Sequence, residues 1–201
     1  MVNPVGIVLL AAGASRRMGC LKQLLPIADE PAVRHCVRNI LIAGINNIVV
    51  VLGHERWRVA AAVSDFPVCF AINNETNSDM ARSVEIGFQS MPQYVTGVMV
   101  GLCDHPLVRP ATYQKLRDLH QKHPGNIFVP VYAGKGGHPS LFPRSLCQSV
   151  SSGKPLSHLL RKHADRVNRF HTGDPGVVYD MDTPRDYRKM VNLTKDISYG
   201  L

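Results

Sequence analysis

The segment GIVLLAAGASRRMGCLK, residues 6–22, joins an unbroken apolar run to a loop of small and cationic residues. The branched side chains of residues 6–10 do not alternate with polar ones, which is typical of a parallel strand covered on both faces. We therefore predict that this run is the first and central strand of a sheet. After Leu10, the residues Ala11, Ala12 and Gly13 carry no side chain larger than a methyl group, so the backbone there can approach a ligand closely.

Three cations follow within the same segment: Arg16, Arg17 and Lys22. Arginine offers a fork of donors and lysine a point charge, and this combination suits a polyphosphate. The pattern predicts a nucleoside triphosphate as the ligand. The alternative is an ordinary strand-to-helix loop with a solvated basic face.

Two common phosphate-binding motifs do not match this loop. A Walker A loop places a lysine and a hydroxyl residue directly after its second glycine, whereas Gly19 is followed by Cys20 and the lysine comes three places later. The dinucleotide fingerprint fails as well, because residues 13–15 lack its second glycine and no acidic residue ends the next strand. The loop therefore predicts neither a P-loop protein nor a dinucleotide-binding enzyme.

The composition favours one folded domain without a membrane span. A chain of 201 residues is long enough for one sizeable core and short for two. No apolar run reaches the roughly 20 residues that cross a bilayer, and the N-terminus lacks a signal-peptide pattern, so we expect a cytoplasmic location. The five cysteines are widely spaced and form no Cys-x-x-Cys pair, which suggests neither disulfides nor a zinc site.

The net charge of +8 is compatible with nucleic acid, a membrane surface or an anionic small molecule. The cations are spread from Arg16 to Lys195, and aromatic residues make up only 6% of the chain, without the basic and aromatic interleaving that stacks bases. The charge therefore favours phosphorylated metabolites over nucleic acid.

Alternating strand and helix patterns predict a single α/β domain with a mostly parallel sheet and helices on both faces. The predicted strands are residues 6–10, 47–53, 68–72, 97–103, 126–132, 167–171 and 177–179. The predicted helices are residues 31–44, 80–91, 110–123, 143–150 and 155–163, and one from Pro184 onward.

Asp104 directly follows the buried strand of residues 97–103. Ligands of open α/β sheets bind beyond the carboxyl ends of the strands, so this carboxylate is expected on the same rim as the loop after residue 10. Two anions repel each other unless a hard cation lies between them, and Asp104 is therefore predicted to bind Mg²⁺ together with phosphate oxygens and water. The alternative is an N-cap of the helix that begins at Pro110.

One carboxylate would hold an octahedral cation loosely, so a second acidic group is expected. The run Asp180-Met181-Asp182-Thr183-Pro184 supplies two candidates, whose side chains point the same way if the run is extended. The alternative is again an N-cap, with Pro184 in the first helical turn.

Residues 10–22 resemble the Leu-x-Ala-Gly-x-x-x-Arg-Met-Gly-x-x-Lys signature of nucleotidylyltransferases with the GT-A-type, Rossmann-like fold. The Ala-Ala-Gly version at residues 11–13, together with later motifs, is similar to molybdenum cofactor cytidylyltransferases, whereas the related guanylyltransferases typically carry Ala-Gly-Gly. The resemblance covers nearly the whole chain. It implies a nucleotide-binding part of about residues 1–108 and an acceptor-binding part of about residues 109–201.

The resemblance implies a role for several side chains. Arg17 and Lys22 would bind the triphosphate, and Cys103-Asp104-His105-Pro106 resembles a Cys-Asp-x-Pro metal motif. The resemblance to Asp-x-Asp-Thr-Pro favours Asp182 as the second metal ligand, with Asp180 as its support or its substitute. The implied catalytic residues are Arg17, Lys22 and Asp104.

Two further stretches resemble family motifs. Residues 77–84 are similar to a Gly-Met-x-x-Ser-Leu stretch that contributes to nucleotide binding, which makes Ser83 a candidate contact, while Asp79 replaces the glycine and is predicted to cap a helix. A packed helix serine is the alternative for Ser83. Residues 136–142 resemble a Gly-His-Pro stretch near the acceptor, which makes His138 a candidate acceptor contact, with a structural histidine as the alternative.

The implied activity is Mg²⁺-dependent transfer of a nucleotidyl group from CTP to the terminal phosphate of molybdopterin carrying molybdenum. The product would be the cytosine dinucleotide, and a molybdenum hydroxylase would receive it. Residues 152–160 depart from the family pattern, because an acid, a glycine and an arginine are missing. Two alternatives therefore stay open, namely transfer to a different phosphorylated metabolite and a non-catalytic carrier of the finished cofactor.

Overall fold

The computed structural model describes residues 3–13, 15, 18–75, 80–147 and 154–198. In chain order the strands are β1 (Val5–Ala11), β2 (Pro26–Ile27), β3 (Glu30–Pro31), β4 (Asn47–Leu52), β5 (Cys69–Ile72), β6 (Gly97–Leu102), β7 (Ile127–Tyr132), β8 (Lys135–Gly136), β9 (Ser140–Pro143) and β10 (Val167–His171). The α-helices are α1 (Ala32–Ile42), α2 (Arg56–Ala61), α3 (Met80–Ser90), α4 (Pro110–Lys122), α5 (Arg144–Cys147), α6 (Leu156–Lys162) and α7 (Pro184–Ser198). Short 3₁₀ turns lie at Lys22–Leu24, Ala164–Arg166 and Pro175–Val177.

The main sheet is mixed, mostly parallel, and centred on β1. Its order is β10-β7-β9-β6-β1-β4-β5, with β8 paired to β7. Strand β1 pairs in parallel with both β4 and β6, β4 pairs in parallel with β5, and β10 pairs in parallel with β7. All seven residues of β1 are buried, as the unbroken apolar run predicted.

Helices cover both faces of the sheet. Ile7 and Leu9 belong to one apolar core with residues of α1, α2 and α4, while Val8 and Leu10 belong to a second core with residues of α3, α5 and α6. This split follows from the strand itself, because successive side chains point to opposite faces. The predicted fold class, a single α/β domain with helices on both faces, is confirmed.

Four local features differ from the sequence prediction. Residues 177–179 are not a strand: Pro175–Val177 is a 3₁₀ turn in which Asp174 accepts a hydrogen bond from the Gly176 amide at 3.0 Å. Strand β9 was not predicted, and it runs antiparallel to β6 and β7. Helix α2 and the small antiparallel hairpin of β2 and β3 were not predicted either. Each of these elements is short, and short elements carry little periodicity of their own.

The remaining predicted elements are present, with bounds shifted by one or two residues. The predicted helix of residues 143–150 is seen as α5, while residues 148–150 lie outside the described part of the chain. Within the described residues, no helix is both long enough and apolar enough to cross a membrane. The carboxyl ends of β1, β4 and β6 meet at one rim of the sheet, which is where the candidate side chains collect.

Candidate active site

The loop after β1 is held by a side chain that the sequence analysis did not single out. The amide nitrogen of Gln23 donates hydrogen bonds to the carbonyl oxygen of Ala11 at 2.8 Å and to that of Gly13 at 2.7 Å. Gln23 is only 2% exposed. Ala12 is half-buried and Gly13 is exposed, with no atom within 4 Å of the position that a side chain on Gly13 would take. Residues 11–13 therefore offer a small-residue surface on a backbone that Gln23 holds.

The neighbouring strand also makes room for this loop. Gly53 directly follows β4, and a Cβ atom on Gly53 would lie 2.6 Å from the carbonyl oxygen of Ala12 and 3.0 Å from its Cα atom. Real Cβ contacts are not that short, so only glycine permits this approach. The position of Ala12 thus depends on a glycine from the next strand.

Lys22 lies at the end of the loop, in the 3₁₀ turn of residues 22–24. Its backbone amide donates to the hydroxyl of Ser15 at 3.1 Å. Its ammonium group donates to Asp104 and, at 3.0 Å, to Oδ1 of Asp182. Burial lowers the pKa of Lys22, but the two carboxylates outweigh this effect and leave the pKa raised. The lysine side chain therefore carries its positive charge beside them.

Two acidic side chains far apart in the sequence thus share one cation. Asp104 follows β6, at the rim where β1 also ends. The backbone amide of Met181 donates to the carbonyl oxygen of Asp104 at 3.1 Å, which sets Asp182 beside it. Met181 is fully buried, packed with Ile27 and Met190. This small apolar core therefore anchors the segment that carries Asp182.

Neither aspartate is the N-cap of a following helix. The N-cap of α4 is Arg109, whose backbone amide donates to Asp174 at 2.8 Å. At the start of α7 the amide of Asp186 donates to the Thr183 hydroxyl at 3.2 Å, so Thr183 takes the capping place. Among the described contacts, the carboxylate of Asp104 therefore pairs with Lys22 and does not cap α4.

The donor chemistry at this position fits a hard divalent cation. Asp104 and Asp182 both direct a carboxylate oxygen at the Lys22 ammonium, and carboxylate oxygens are the ligands that Mg²⁺ prefers. Within the described part of the chain, no group of three or more His, Cys, Asp or Glu side chains could hold a metal. Two protein carboxylates suit Mg²⁺, which usually takes its other ligands from phosphate and water.

Asp180 lies next to this cluster. Its side chain accepts a hydrogen bond from the Asp182 amide at 3.3 Å. Burial, and then the negative charge of Asp182, raise the pKa of Asp180. Asp180 also lines a cavity of about 440 Å³ between residues 178–180 and helix α7, which Lys189 and Leu193 border from the helix.

His138 lies near the cluster of Lys22, Asp104 and Asp182 and reaches it through His105. Its ring stands edge-on to that of His105, with ring centres 5.6 Å apart, and Nε2 of His105 is 4.0 Å from Oδ1 of Asp104. Burial, aided by His105, lowers the pKa of His138 to about 4. His138 is thus a neutral ring within two contacts of Asp104, and its predicted role in acceptor binding stays a prediction.

Ser83 is a buried residue of α3, and its hydroxyl accepts a hydrogen bond from the Asn73 amide at 2.9 Å. This environment is that of a packed helix serine, and a role in nucleotide binding stays a prediction. Arg16, Arg17 and Asp79 lie outside the described residues, as do residues 148–153, so the predicted roles of Arg17 and Asp79 stay predictions too.

Three residues that shape the site were missed by sequence reasoning. They are Gln23, which fixes the loop; His105, which lies between Asp104 and His138; and Asp174, which orders the start of α4. Gln23 and His105 each adjoin a predicted site residue, and this adjacency was the only signal in the sequence. Nothing local to Asp174 points to Arg109, because the contact depends on the fold.

A family model described as the MobA-like NTP transferase domain matches residues 7–167. The chain is 27% identical to Rv0371c from Mycobacterium tuberculosis H37Rv, with a TM-score of 0.85 over 96% of this chain and 99% of that one. The same protein was also solved as a manganese complex, with 26% identity and a TM-score of 0.80 over 94% of this chain and 98% of that one.

Two other relatives widen the comparison. The bifunctional protein GlmU from Corynebacterium aurimucosum is 35% identical over 134 residues, which are 62% of this chain and 26% of that protein. Several curated relatives are matched over about a quarter of their length. The CMP:2-keto-3-deoxy-manno-octonic acid synthetase complexed with CTP is 16% identical, with a TM-score of 0.78 over 96% of this chain and 99% of that one, a likeness that shows the fold alone.

The family match covers most of the chain and includes residues 7–11 of β1, the loop after it, Lys22 and Asp104. It confirms the resemblance to nucleotidyltransferases, while the molybdenum cofactor cytidylyltransferase type stays a prediction. By its sequence and its fold, the chain belongs to the family of MobA-like NTP transferase domains.

Proposed function

We propose that this protein transfers a nucleotidyl group from CTP to the terminal phosphate of a phosphorylated pterin cofactor, most specifically molybdopterin carrying molybdenum. The observation that carries the proposal is the convergence of Lys22, Asp104 and Asp182 beside the open loop after β1. A cation and two carboxylates at the carboxyl ends of parallel strands suit a metal-bound triphosphate. Family membership supports nucleotidyl transfer as the reaction class.

In the proposed reaction an oxygen of the acceptor phosphate attacks the α-phosphorus of CTP. The new bond joins that oxygen to the α-phosphorus, and the bond from the α-phosphorus to the bridging oxygen breaks, so that pyrophosphate leaves with the electron pair. Such transfers depend on in-line positioning and on charge stabilisation rather than on a covalent nucleophile. Lys22, together with Arg17, would bind the triphosphate and offset the charge that develops on the leaving group.

Asp104 and Asp182 would hold the divalent ion, which we propose to be Mg²⁺, with Asp180 as support. When bound, the ion would neutralise phosphate charge and act as a Lewis acid. The manganese complex of Rv0371c supports a divalent metal in a protein of this fold. His105 lies beside Asp104 and would help to keep that carboxylate in place.

The preference for CTP rests on Ala11 and Ala12. We infer that the base edge lies against this part of the loop, where a methyl group at residue 12 limits the space for a purine. The part of the chain from residue 109 onward would bind the acceptor, with His138 among its contacts. A molybdenum hydroxylase is the proposed recipient of the product.

The test is pyrophosphate release by the full chain with Mg²⁺ and each of the four ribonucleoside triphosphates in turn, paired first with the pterin acceptor and then with other phosphorylated acceptors. We expect release with CTP and a cytosine dinucleotide product by mass spectrometry. Release only with a different phosphorylated acceptor would replace the proposed substrate and keep the reaction class. No release with any pair would favour a carrier of the finished cofactor.

A further inference from the structure

The ammonium group of Lys22 lies between the two carboxylates that are proposed to hold the metal. It contacts Asp104 directly and lies 3.0 Å from Oδ1 of Asp182. The side chains of Lys22 and Asp104 are each 15% exposed, so water screens this contact weakly. In the ligand-free protein, Lys22 therefore offsets one of the two negative charges of Asp104 and Asp182.

The same lysine is proposed to bind the triphosphate, and it cannot serve both partners in one position. A divalent ion on Asp104 and Asp182 would lie within a few ångströms of the ammonium in its present place. Like charges at such a distance repel strongly in a partly buried site. The lysine must therefore leave the carboxylates when a metal enters.

The backbone around Lys22 is fixed, while its side chain can rotate. The Lys22 amide is held by the Ser15 hydroxyl at 3.1 Å, and the next residue, Gln23, is buried with two hydrogen bonds to the loop after β1. A lysine carries its charge on a flexible four-carbon stem with three rotatable donors. A change of side-chain rotamer thus moves the charge while the loop stays in place.

We propose that Lys22 occupies the cation position between Asp104 and Asp182 in the free protein and leaves it for the phosphates when the metal and the nucleotide enter. This inference rests on the proposed metal and triphosphate site. Metal alone must displace the lysine without a phosphate to receive it, and so binds weakly. Metal and nucleotide together satisfy the carboxylates and the lysine at once, and each therefore raises the affinity for the other.

The coupling has a direct consequence for the protein without nucleotide. Removing the Lys22 ammonium takes away the cation that contacts both carboxylates and opens its position to a divalent ion. The Lys22→Met variant is close in length and uncharged. It is expected to bind a divalent ion at least tenfold more tightly than the natural protein does, even though it binds the nucleotide less tightly.

The experiment titrates Mn²⁺ alone into the full chain, without any nucleotide, and follows free Mn²⁺ by electron paramagnetic resonance. Lys122→Met is the matched control, because it removes the same charge from an exposed position at the end of α4 and should bind Mn²⁺ as the natural protein does. The double variant Lys22→Met with Asp104→Asn should lose the added affinity, since it removes one of the two carboxylates.

Equal Mn²⁺ affinity in Lys22→Met and the natural protein would overturn the inference, as would added affinity that survives in the double variant. A thermal melt establishes that each variant is folded, and Lys22→Gln replaces Lys22→Met if the latter does not fold. The two proposals can fail separately. If Lys22→Met binds Mn²⁺ more tightly but the natural protein transfers no nucleotide, only the proposed function is wrong. If Lys22→Met binds Mn²⁺ as the natural protein does and the natural protein is active, only the proposed movement of Lys22 is wrong.

Discussion

The side-chain amide of Gln23 donates a 2.8 Å hydrogen bond to the carbonyl oxygen of Ala11, the last residue of the central strand. A second bond from the same nitrogen reaches the carbonyl of Gly13 at 2.7 Å. The start of the loop proposed to bind the nucleotide, residues 11–13, is thus tied to a buried side chain.

Replacing Gln23 by methionine keeps the length of the side chain and removes both donors. We expect the free energy of unfolding to fall by about 1–3 kcal/mol, because buried hydrogen bonds are lost and carbonyl oxygens are left without this partner. The Michaelis constant for the nucleotide should rise with it. Gln89→Met, on the exposed face of α3, is the control and should change neither quantity. An unaltered melting temperature in Gln23→Met would show that the bonds to the loop contribute nothing.

Gly53→Ala should displace the loop from the neighbouring strand. Its methyl group would lie 2.6 Å from the carbonyl oxygen of Ala12, a distance that forces the backbone apart. We expect weaker nucleotide binding by calorimetry and a lower melting temperature. Gly125→Ala is the matched control, since a Cβ atom there meets nothing within 4 Å, and it should leave both measurements unchanged. Normal nucleotide affinity in Gly53→Ala would place the base and the phosphates away from Ala12.

Base preference should depend on the methyl group of Ala12. We expect Ala12→Gly to narrow the preference for CTP over GTP, because the added space accommodates a purine. The measurement is the ratio of kcat/KM for the two triphosphates in the natural protein and in the variant. Equal turnover of both by the natural protein would contradict the proposed role of this residue.

Asp104→Asn should abolish turnover while it leaves the fold intact. Asparagine keeps the size of the side chain and removes the charge that would balance a metal, so kcat should fall by roughly a hundredfold or more, a larger effect than the loss of nucleotide affinity. The measurements are pyrophosphate release and a thermal melt. Near-normal release would remove Asp104 from the metal site.

Asp174→Asn is the structural counterpart of that variant. Asp174 is 3% exposed and accepts hydrogen bonds from the Arg109 amide, the Gly176 amide and, at 2.6 Å, the Thr112 hydroxyl. This variant should lower the melting temperature and retain the specific activity of its folded fraction. A stable but inactive Asp174→Asn protein, together with an unstable but active Asp104→Asn protein, would contradict both assignments.

The stability of the protein should fall in mild acid because of His138. Burial lowers the pKa of His138 from the usual 6.5 to about 4, so the unfolded chain binds a proton at pH values where the folded chain does not. The contribution of neutral His138 to the free energy of unfolding is fully present above pH 6.5. It is lost progressively as the pH falls from about 6.5 to about 4, at up to about 1.4 kcal/mol per pH unit.

His138→Gln should flatten this dependence, as measured by urea unfolding at a series of pH values. The same replacement at His171, an exposed residue of β10, controls for the loss of a histidine. A pH dependence that is identical in His138→Gln and in the natural protein would assign the acid sensitivity to other groups. The buried His120, whose pKa burial also lowers, is the next candidate.

The central strand, the small-residue loop and the order of the long elements could be predicted from the amino-acid sequence alone. Residues 6–10 are apolar without alternation, and such a run is stable only where both faces of a strand are covered. Helices α1 and α4 could be predicted from apolar residues at helical spacing, because that periodicity reflects one buried face of the helix. Asp104 could be placed at the rim for a similar reason, since it follows directly on a buried strand.

Which of these residues contact one another depends on packing that forms only in the folded chain. The Met181 amide brings Asp182 to Asp104, and that bond depends on a small core of Ile27, Met181 and Met190 drawn from distant parts of the chain. Strand β9 pairs antiparallel with β6 on one side and with β7 on the other, and its four residues show no period of their own. Local sequence specifies local backbone preference, whereas contacts between distant segments depend on packing that no short stretch encodes. The position of Lys22 between two carboxylates is the result of such packing.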